Sequence, residues 1–318
     1  MKIFVDDGST NVKVAYEVDG KRKNVISPNS FKRGWSVQFG NQQIYNYSLN
    51  GENYTFDPIS PDALTTTNVA YQYGDINVIA IHHALLMCGI QPQEVELVVT
   101  LPLAEYYDKD NQIIEENIKK KISNVMRPVS LKGAETFTVK SVTVLPESIP
   151  AGFEVVKKLD PTQSLLIVDL GGTTLDISQV RGKMSGISKI HGDPKVGVSI
   201  MTDAVKDALS IAKTQGSSYL ADDVIIHRND SKYLKNRIND ETHISTVENA
   251  LKESEASLTK RVLQAIDDFH GYTHVMVIGG GAAIVADAIQ NHTTVQKDRF
   301  FIAEEPQFAL VNGIYQIG

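Results

Sequence analysis

Residues 168–177 read Val-Asp-Leu-Gly-Gly-Thr-Thr-Leu-Asp-Ile, and residues 5–14 read Val-Asp-Asp-Gly-Ser-Thr-Asn-Val-Lys-Val. Each stretch has a buried strand, an aspartate, a glycine-containing hairpin with hydroxyl residues, and a second strand. One copy is compatible with any tight β-hairpin. Two copies about half a chain apart predict two similar domains that face each other across a nucleotide.

Composition and charge limit the class of protein. The chain has 318 residues and a net charge of −7, so two domains are expected and a broad nucleic-acid-binding surface is not. No apolar run approaches the ~20 residues that span a bilayer, and two acids appear before a signal-peptide core could form. Cys88 is the only cysteine, which excludes an intrachain disulfide and predicts a small buried residue on a helix. A cytoplasmic protein is the simplest interpretation.

The pattern of apolar and turn residues predicts two β-meanders joined to helices. Residues 30–75 are rich in aromatic and amide side chains and predict an inserted, partly β subdomain. Helices are expected over Asp75–Cys88, Asn111–Val125, Thr246–His270 and Phe308–Ile317. The meander strands are expected at residues 2–6, 11–18, 24–27, 165–169, 173–180 and 185–191.

The two hairpins have the chemistry of a phosphate-binding site. Glycine lets the backbone approach an anion with its N–H groups pointing inward, and Lys13 can neutralise phosphate charge. Asp6 and Asp169 stand at equivalent strand ends. Two acids would repel a polyphosphate unless a cation lay between them, so the pair implies a hydrated Mg²⁺. The predicted phosphate-binding residues are Gly8, Ser9 and Thr10 on one side and Gly171, Gly172 and Thr173 on the other.

Two further segments are candidates for the site. Gly279-Gly280-Gly281 follows a predicted strand and precedes a helix, which lets an adenosine ring or a ribose phosphate approach a helix N-terminus. The sequence has no dinucleotide fingerprint there and no P-loop anywhere. Glu147 could orient a water molecule in line with a γ-phosphate or cap the following helix, and the residues alone leave both roles open.

Other polar clusters are interpreted as structural. His82 and His83 are adjacent on a helix and point in different directions, so they are not a metal-binding pair. All eight histidines are expected to be structural or at the surface. The run Lys119–Lys121 is expected to be a solvated helix face. The aromatic residues between 31 and 73 are expected to serve packing or subunit contact.

Four segments together resemble a known family: Phe4–Lys13, Ile26–Arg33, Pro146–Gly152 and His274–Gly281. Two acidic glycine hairpins, a connecting Pro-Glu segment and a late Gly-Gly-Gly before a helix are similar to the superfamily of actin, sugar kinases and heat-shock ATPases. More specifically, the four segments closely resemble the ParM (StbA) family of actin-like plasmid segregation proteins. The resemblance runs from the first residues to beyond Gly313.

The resemblance implies an α/β, actin-like ATPase fold, in which two ribonuclease H-like domains flank a nucleotide cleft and each carries a smaller inserted subdomain. Domain I is expected over residues 1–158, with an insertion at about 30–75 and with residues 305–318 packing back on it. Domain II is expected over residues 159–304, with an insertion at about 183–270.

The resemblance also implies an ATPase, which accepts GTP as well, depends on Mg²⁺ and assembles into filaments. A ParR-type DNA-binding adaptor on a centromere-like plasmid site would capture filament ends, so that growth pushes sister plasmids apart in the bacterial cytoplasm. Neither direct sequence-specific DNA binding nor membrane binding is expected. On this resemblance Asp6 and Asp169 hold the metal through water, and Glu147 positions the attacking water. The nucleotide-binding residues would be Asp7, Gly8, Ser9, Thr10, Asn11, Lys13, Gly171, Gly172, Thr173, Thr174, Gly279, Gly280 and Gly281.

Alternatives of related fold fit the sequence less well. A small-molecule kinase would need a catalytic aspartate and a sugar pocket, and no motif for either is found. A heat-shock-type chaperone carries a long substrate-binding extension after its ATPase half, whereas this chain ends at residue 318. A membrane-bound cell-shape filament would need an amphipathic or apolar membrane-binding terminus, whereas the N-terminus here is expected to be a core strand. A chromosomally encoded cytoskeletal filament of the same fold remains an alternative function.

Overall fold

The computed structural model describes residues 1–40 and 43–318. In chain order, the elements up to residue 146 are β1 (Lys2–Asp7), β2 (Asn11–Val18), β3 (Lys21–Pro28), β4 (Phe31–Arg33), β5 (Asn46–Leu49), β6 (Glu52–Phe56), α1 (Asp75–Met87), β7 (Glu94–Leu101), α2 (Leu103–Tyr106), α3 (Glu115–Val125), β8 (Ser130–Leu131) and β9 (Thr138–Pro146). The main strands form a sheet in the order β3-β2-β1-β7-β9. Strands β1 to β3 form the predicted antiparallel meander, and β7 and β9 extend it in parallel.

The second half of the chain repeats this arrangement. Its elements are α4 (Phe153–Lys158), β10 (Ser164–Leu170), β11 (Leu175–Arg181), β12 (Ile187–Asp193), α5 (Ser199–Ile211), α6 (Ser218–Ile226), α7 (Ser231–Arg237), α8 (Ile244–Ile266), β13 (His274–Ile278), α9 (Ala282–Thr293), β14 (Phe300–Ile302) and α10 (Ala309–Ile317). The sheet order is β12-β11-β10-β13-β14, again an antiparallel meander extended by parallel strands. Strand β10 thus corresponds to β1, and the duplication predicted from the two hairpins is confirmed.

Two parts of the chain lie outside the main sheets. A small sheet in the order β4-β6-β5-β8 takes three strands from residues 30–75, and β8 closes its edge. Helices α5 to α8 occupy most of residues 183–270, although β12 also lies in this range and belongs to the main sheet. The division into domains at residue 158 and the bounds of the insertions stay predictions.

Apolar burial holds the central strands in place. All seven residues of β10 are buried, as are five of the six residues of β1. Each fully buried Val, Leu or Ile side chain stabilises the fold by about 1.5–3 kcal/mol relative to its exposed state. Helix α10 packs on β1 and β2, where Val311 and Ile314 share an apolar cluster with Phe4 and Ala15. The hairpin that follows each central strand therefore starts from a rigid support.

Two predicted helices differ in their bounds. Helix α3 begins at Glu115 rather than at Asn111, because Asn111 has a φ of 59° and belongs to a turn. The Asp108 carboxylate accepts the Gln112 N–H of that turn at 2.8 Å. Helix α8 ends at Ile266 rather than at residue 270, and the residues that follow it form a turn.

Two global expectations can be compared with the structure. Cys88 is buried next to the C-terminal end of α1, as expected. Within residues 1–40 and 43–318, no helix combines the length and the apolar character needed to cross a bilayer.

Candidate functional site

The two glycine hairpins face each other across a single cleft. The hydroxyl groups of Ser9 and Thr173 form a hydrogen bond of 2.5 Å between the halves of the chain. A Cβ atom on Gly172 would lie 1.9 Å from the Thr10 Oγ1 atom, so only glycine allows this close approach. The hairpin of β1 and β2 and that of β10 and β11 therefore form opposite walls of one site.

The cleft between the hairpins has a volume of about 260 Å³. Most of the residues predicted for the site line it, although they lie up to 274 positions apart in the sequence, from position 6 to position 280. The predicted residues that line the cleft are Asp6, Gly8, Ser9, Thr10, Asn11, Lys13, Glu147, Asp169, Gly171, Gly172, Thr173, Thr174, Gly279 and Gly280.

Two predicted residues do not line the cleft. Asp7 is fully buried behind the first hairpin, because side chains alternate along β1 and Asp6 takes the cleft side. Gly281 serves packing instead: a Cβ atom there would lie 2.6 Å from Leu170 Cδ2 and 2.8 Å from Val198 Cγ2. Both residues thus lie behind the walls of the cleft, and their part in nucleotide binding stays a prediction.

Lys121 overturns the expectation of a solvated lysine run. Lys119 and Lys120 are exposed, but the Lys121 side chain has no exposed surface and forms an ion pair with Asp7. The direction of α3 turns one of three consecutive lysines into the interior, which a charge run alone does not reveal.

A strained turn sets the position of Glu147. The following residue, Ser148, has φ 66° and ψ −62°, and the Ile149 N–H donates to the Glu147 carbonyl at 2.8 Å. This is the rare γ-turn with positive φ, which is strained for a residue other than glycine. The Ser148 backbone N–H donates to the Asp169 carboxylate, and its hydroxyl shares a 2.8 Å hydrogen bond with Ser178. The turn thus links the Glu147 segment to the second hairpin, and the residues at the N-cap positions of the two short helices that follow are Ser148 and Gly152 rather than Glu147.

Three buried carboxylates, those of Asp6, Glu147 and Asp169, line the cleft. Burial raises the pKa of Glu147 well above its usual range, and the neighbouring Asp176, Asp6 and Asp169 raise it further. Burial also raises the pKa of Asp169 well above normal, with a further contribution from Asp176. Such groups favour a nearby positive charge, because each negative charge is poorly solvated and repels the others.

Lys13 is the cation that meets these acids inside the cleft. Its ammonium lies 3.2 Å from Asp6 Oδ2. Burial alone would lower the pKa of Lys13, but the charges of Asp6, Asp169 and Glu147 raise it above its usual value. Lys13 therefore remains charged at neutral pH and faces the space where phosphates would lie.

Asp176 is a member of this cluster that sequence reasoning missed. Its carboxylate accepts the Leu103 N–H at 2.7 Å and lies against Glu147, and burial raises its pKa to about 6. The available signal was an acid one strand-length after Asp169, on a strand whose other residues up to Val180 are buried. A buried acid on a central strand indicates a site more often than a core position.

The acidic cleft fits a cation that is shared with phosphates. In the part of the chain that the structure describes, no three His, Cys, Asp or Glu side chains converge as ligands of a metal. Mg²⁺ needs no such cage, because it keeps several waters and commonly takes one or two carboxylates together with phosphate oxygens. Asp6 and Asp169, both in the cleft and both with a raised pKa, fit that ligand set.

The wall beside Gly279 and Gly280 is largely apolar and was also missed in part. It comes from helices α6 and α9 and from the residues next to α5 and α6, whose contribution to a cleft has no local sequence signal. Arg228 stands at its edge and donates to Glu255 Oε2 at 2.8 Å. The other residues of this wall are Val198, Asp222, Ile225, Ile226, Ala283 and Ile284.

The repeated sheets and the hairpins that face each other across a cleft define an actin-like protein. Two family models match the chain from end to end: "Plasmid segregation protein ParM, N-terminal" over residues 1–158, and "Plasmid segregation protein ParM, C-terminal" over residues 159–317. The chain belongs to the ParM family of plasmid segregation proteins, which confirms the resemblance drawn from the four sequence segments.

Solved structures support the same fold at low sequence identity. A non-polymerisable quadruple mutant of pCBH ParM superimposes with a TM-score of 0.73 at 15% identity, over 100% of this chain and 98% of that chain. A 15-stranded ParM filament from Clostridium botulinum gives a TM-score of 0.69 at 16% identity, over 99% and 98% of the two chains. The ADP complex of Ta0583, an archaeal actin homologue, gives 0.69 at 15% identity, over 98% and 97%. No curated protein matches the sequence.

Proposed function

We propose that this chain is an Mg²⁺-dependent nucleoside triphosphatase that hydrolyses ATP, and also GTP, while it assembles into filaments. The observation that carries the proposal is the arrangement of Asp6, Glu147 and Asp169 in one cleft between two glycine hairpins. Phosphoryl transfer requires mainly positioning and electrostatic stabilisation, which such an arrangement provides.

Each part of the cleft has a role in this proposal. The backbone N–H groups of the hairpins would bind the phosphates, and Lys13 would offset their charge. Asp6 and Asp169 would hold a hydrated Mg²⁺, which supplies positive charge at the phosphates. Glu147 would orient the attacking water. Gly279 and Gly280 would lie beside the adenosine, while Gly281 and Asp7 would act only by supporting the walls.

The biological part of the proposal follows from family membership. The filament would separate sister plasmids by growth, through a ParR-type adaptor bound at a centromere-like site, in the bacterial cytoplasm. The relative from C. botulinum forms a 15-stranded filament, which supports self-assembly of this chain. Within each subunit we propose domain I at 1–158, with residues 305–318 packed on it, and domain II at 159–304, with insertions at about 30–75 and 183–270.

The change Glu147→Gln tests the hydrolytic role. It keeps the size of the side chain but removes the carboxylate, so phosphate release should fall by about 10²-fold or more, while filaments still form on addition of ATP and Mg²⁺. Phosphate release and light scattering measure the two effects. Glu116→Gln, an exposed glutamate on α3, is the matched control.

Two results would contradict the proposal. Equal rates of phosphate release in the Glu147→Gln and Glu116→Gln proteins would return Glu147 to a structural role. A requirement for a small-molecule acceptor before any nucleotide is consumed would support the kinase alternative instead.

A further inference from the structure

Lys121 is a buried lysine to which neither the sequence motifs nor family membership assigns a role. It is the one lysine with no exposed surface in the part of the chain that the structure describes. A buried ammonium is costly unless its charge and all its N–H donors are matched. The residues around Lys121 therefore have to supply an opposite charge and hydrogen-bond acceptors.

The Lys121 ammonium joins three segments that lie behind the first hairpin. It forms an ion pair with Asp7 Oδ2 and donates to the Gln72 side-chain and backbone oxygens, the latter at 3.2 Å, and to Asn77 Oδ1 at 3.1 Å. Asp7 accepts the Asn77 Nδ2 donor at 2.7 Å and the Thr100 N–H at 3.2 Å. Every partner of this network is buried.

Two members of the network stand directly next to the cleft. Asp7 follows Asp6, which lines the cleft, and precedes Gly8, the first residue of the hairpin. Gln72 is itself part of the cleft wall. One ammonium therefore contacts both the root of the phosphate-binding hairpin and an adjacent wall, without reaching the cleft.

We propose that Lys121 is a positioning residue for nucleotide binding. This inference rests on the proposed function. Lys121 holds Asp7, and through it the Gly8 hairpin, at a fixed distance from the wall that contains Gln72. Glu147 and Asp169 stand on other elements, so the expected effect is on nucleotide affinity and KM rather than on the hydrolytic step.

The test removes the anchor without leaving a buried charge. Lys121→Met alone would leave Asp7 unpaired and could unfold the protein, so the decisive variant is the double change Asp7→Asn with Lys121→Met. Asp7→Asn with Lys121→Gln is the rescue, because a glutamine amide at position 121 can still donate to an asparagine at position 7 and to Gln72. Lys119→Met is the exposed control on the same helix. The assays are binding of a fluorescent ATP analogue with Mg²⁺, at a protein concentration below polymerisation, and steady-state phosphate release.

The Met-containing double variant should melt as a folded protein, bind the analogue about tenfold more weakly, or about 1.4 kcal/mol, and keep its kcat. The Gln-containing variant should recover most of the affinity. Affinity equal to that of the Lys119→Met protein would overturn the inference, as would a loss of kcat at unchanged affinity. Failure of the Met double variant to fold would also overturn it, because the network would then serve the fold alone. The Glu147→Gln result bears on the proposed function separately.

Discussion

Gly279, at the end of β13, is the position where one added methyl group should disturb the site most directly. Its φ is +89°, and an ideal Cβ atom would lie 2.4 Å from the Leu170 carbonyl oxygen and 2.6 Å from Asp169 Oδ1. Neither neighbour can move freely, since one is backbone on a buried strand and the other is the proposed metal carboxylate. The change Gly279→Ala should therefore strain the backbone and displace Asp169.

The size of the effect follows from these two terms. A positive φ in a residue other than glycine costs about 1–3 kcal/mol, and overpacking of a tight site costs about 1–3 kcal/mol. The sum of about 2–6 kcal/mol is large beside a typical unfolding free energy of about 5–15 kcal/mol. The adjacent Gly280 has no atom within 4 Å of its would-be Cβ and no positive φ, so Gly280→Ala should change stability by no more than about 0.5 kcal/mol.

Urea unfolding followed by circular dichroism compares the two alanine variants. Phosphate release adds a second measurement, which should fall in the Gly279→Ala protein because Asp169 moves. The reasoning is refuted if both proteins unfold at the same urea concentration, because the crowding at Gly279 would then have no energetic consequence.

Two further predictions concern charge. Asp169→Asn should stabilise the nucleotide-free protein at pH 7, because burial and Asp176 raise the pKa of Asp169 and so disfavour its charged form in the folded state. The variant should therefore have a higher melting temperature than the wild type at pH 7, and the difference should vanish near pH 3. Equal melting temperatures at pH 7 would contradict this prediction. Burial lowers the pKa of His82 to about 4 and of His83 to about 3. The contribution of these two neutral histidines to stability should therefore be complete above about pH 6.5 and be lost as the pH falls towards 4. A His82→Leu/His83→Phe protein should accordingly lose less stability than the wild type between pH 7 and pH 5 in the same urea assay.

The two meanders of the main sheets could be predicted because their signals are local. Residues 5–14 and 168–177 each contain a strand, a turn and a second strand, and a hairpin of this length is specified by its own turn residues. The same hairpins carry Asp6 and Asp169, so these two carboxylates of the candidate site could be predicted to lie near each other. Helix bounds were less accurate, because Asn111 adopts a left-handed turn where periodicity alone would continue α3.

The residues that surround the two hairpins could not be predicted in this way. Lys121 meets Gln72 and Asp7, which are 49 and 114 residues away, and nothing within the run of three lysines distinguishes it from its neighbours. Val198, just before α5, and Ile225, in α6, reach the cleft from segments whose apolar residues are typical of an ordinary core. Such contacts depend on how elements pack, which is tertiary information.

The distribution of cations over the two hairpins favours the proposed metal. In the first hairpin the consecutive acids point to opposite sides of β1, and each has its own lysine: Lys13 for Asp6 and Lys121 for Asp7. In the second hairpin, Asp169 and Asp176 form no salt bridge with any residue that the structure describes. The carboxyl groups without a lysine partner therefore lie on one side of the cleft, beside Glu147. A divalent cation brought in with the triphosphate would supply the missing charge there, so binding of metal and of nucleotide should each strengthen the other.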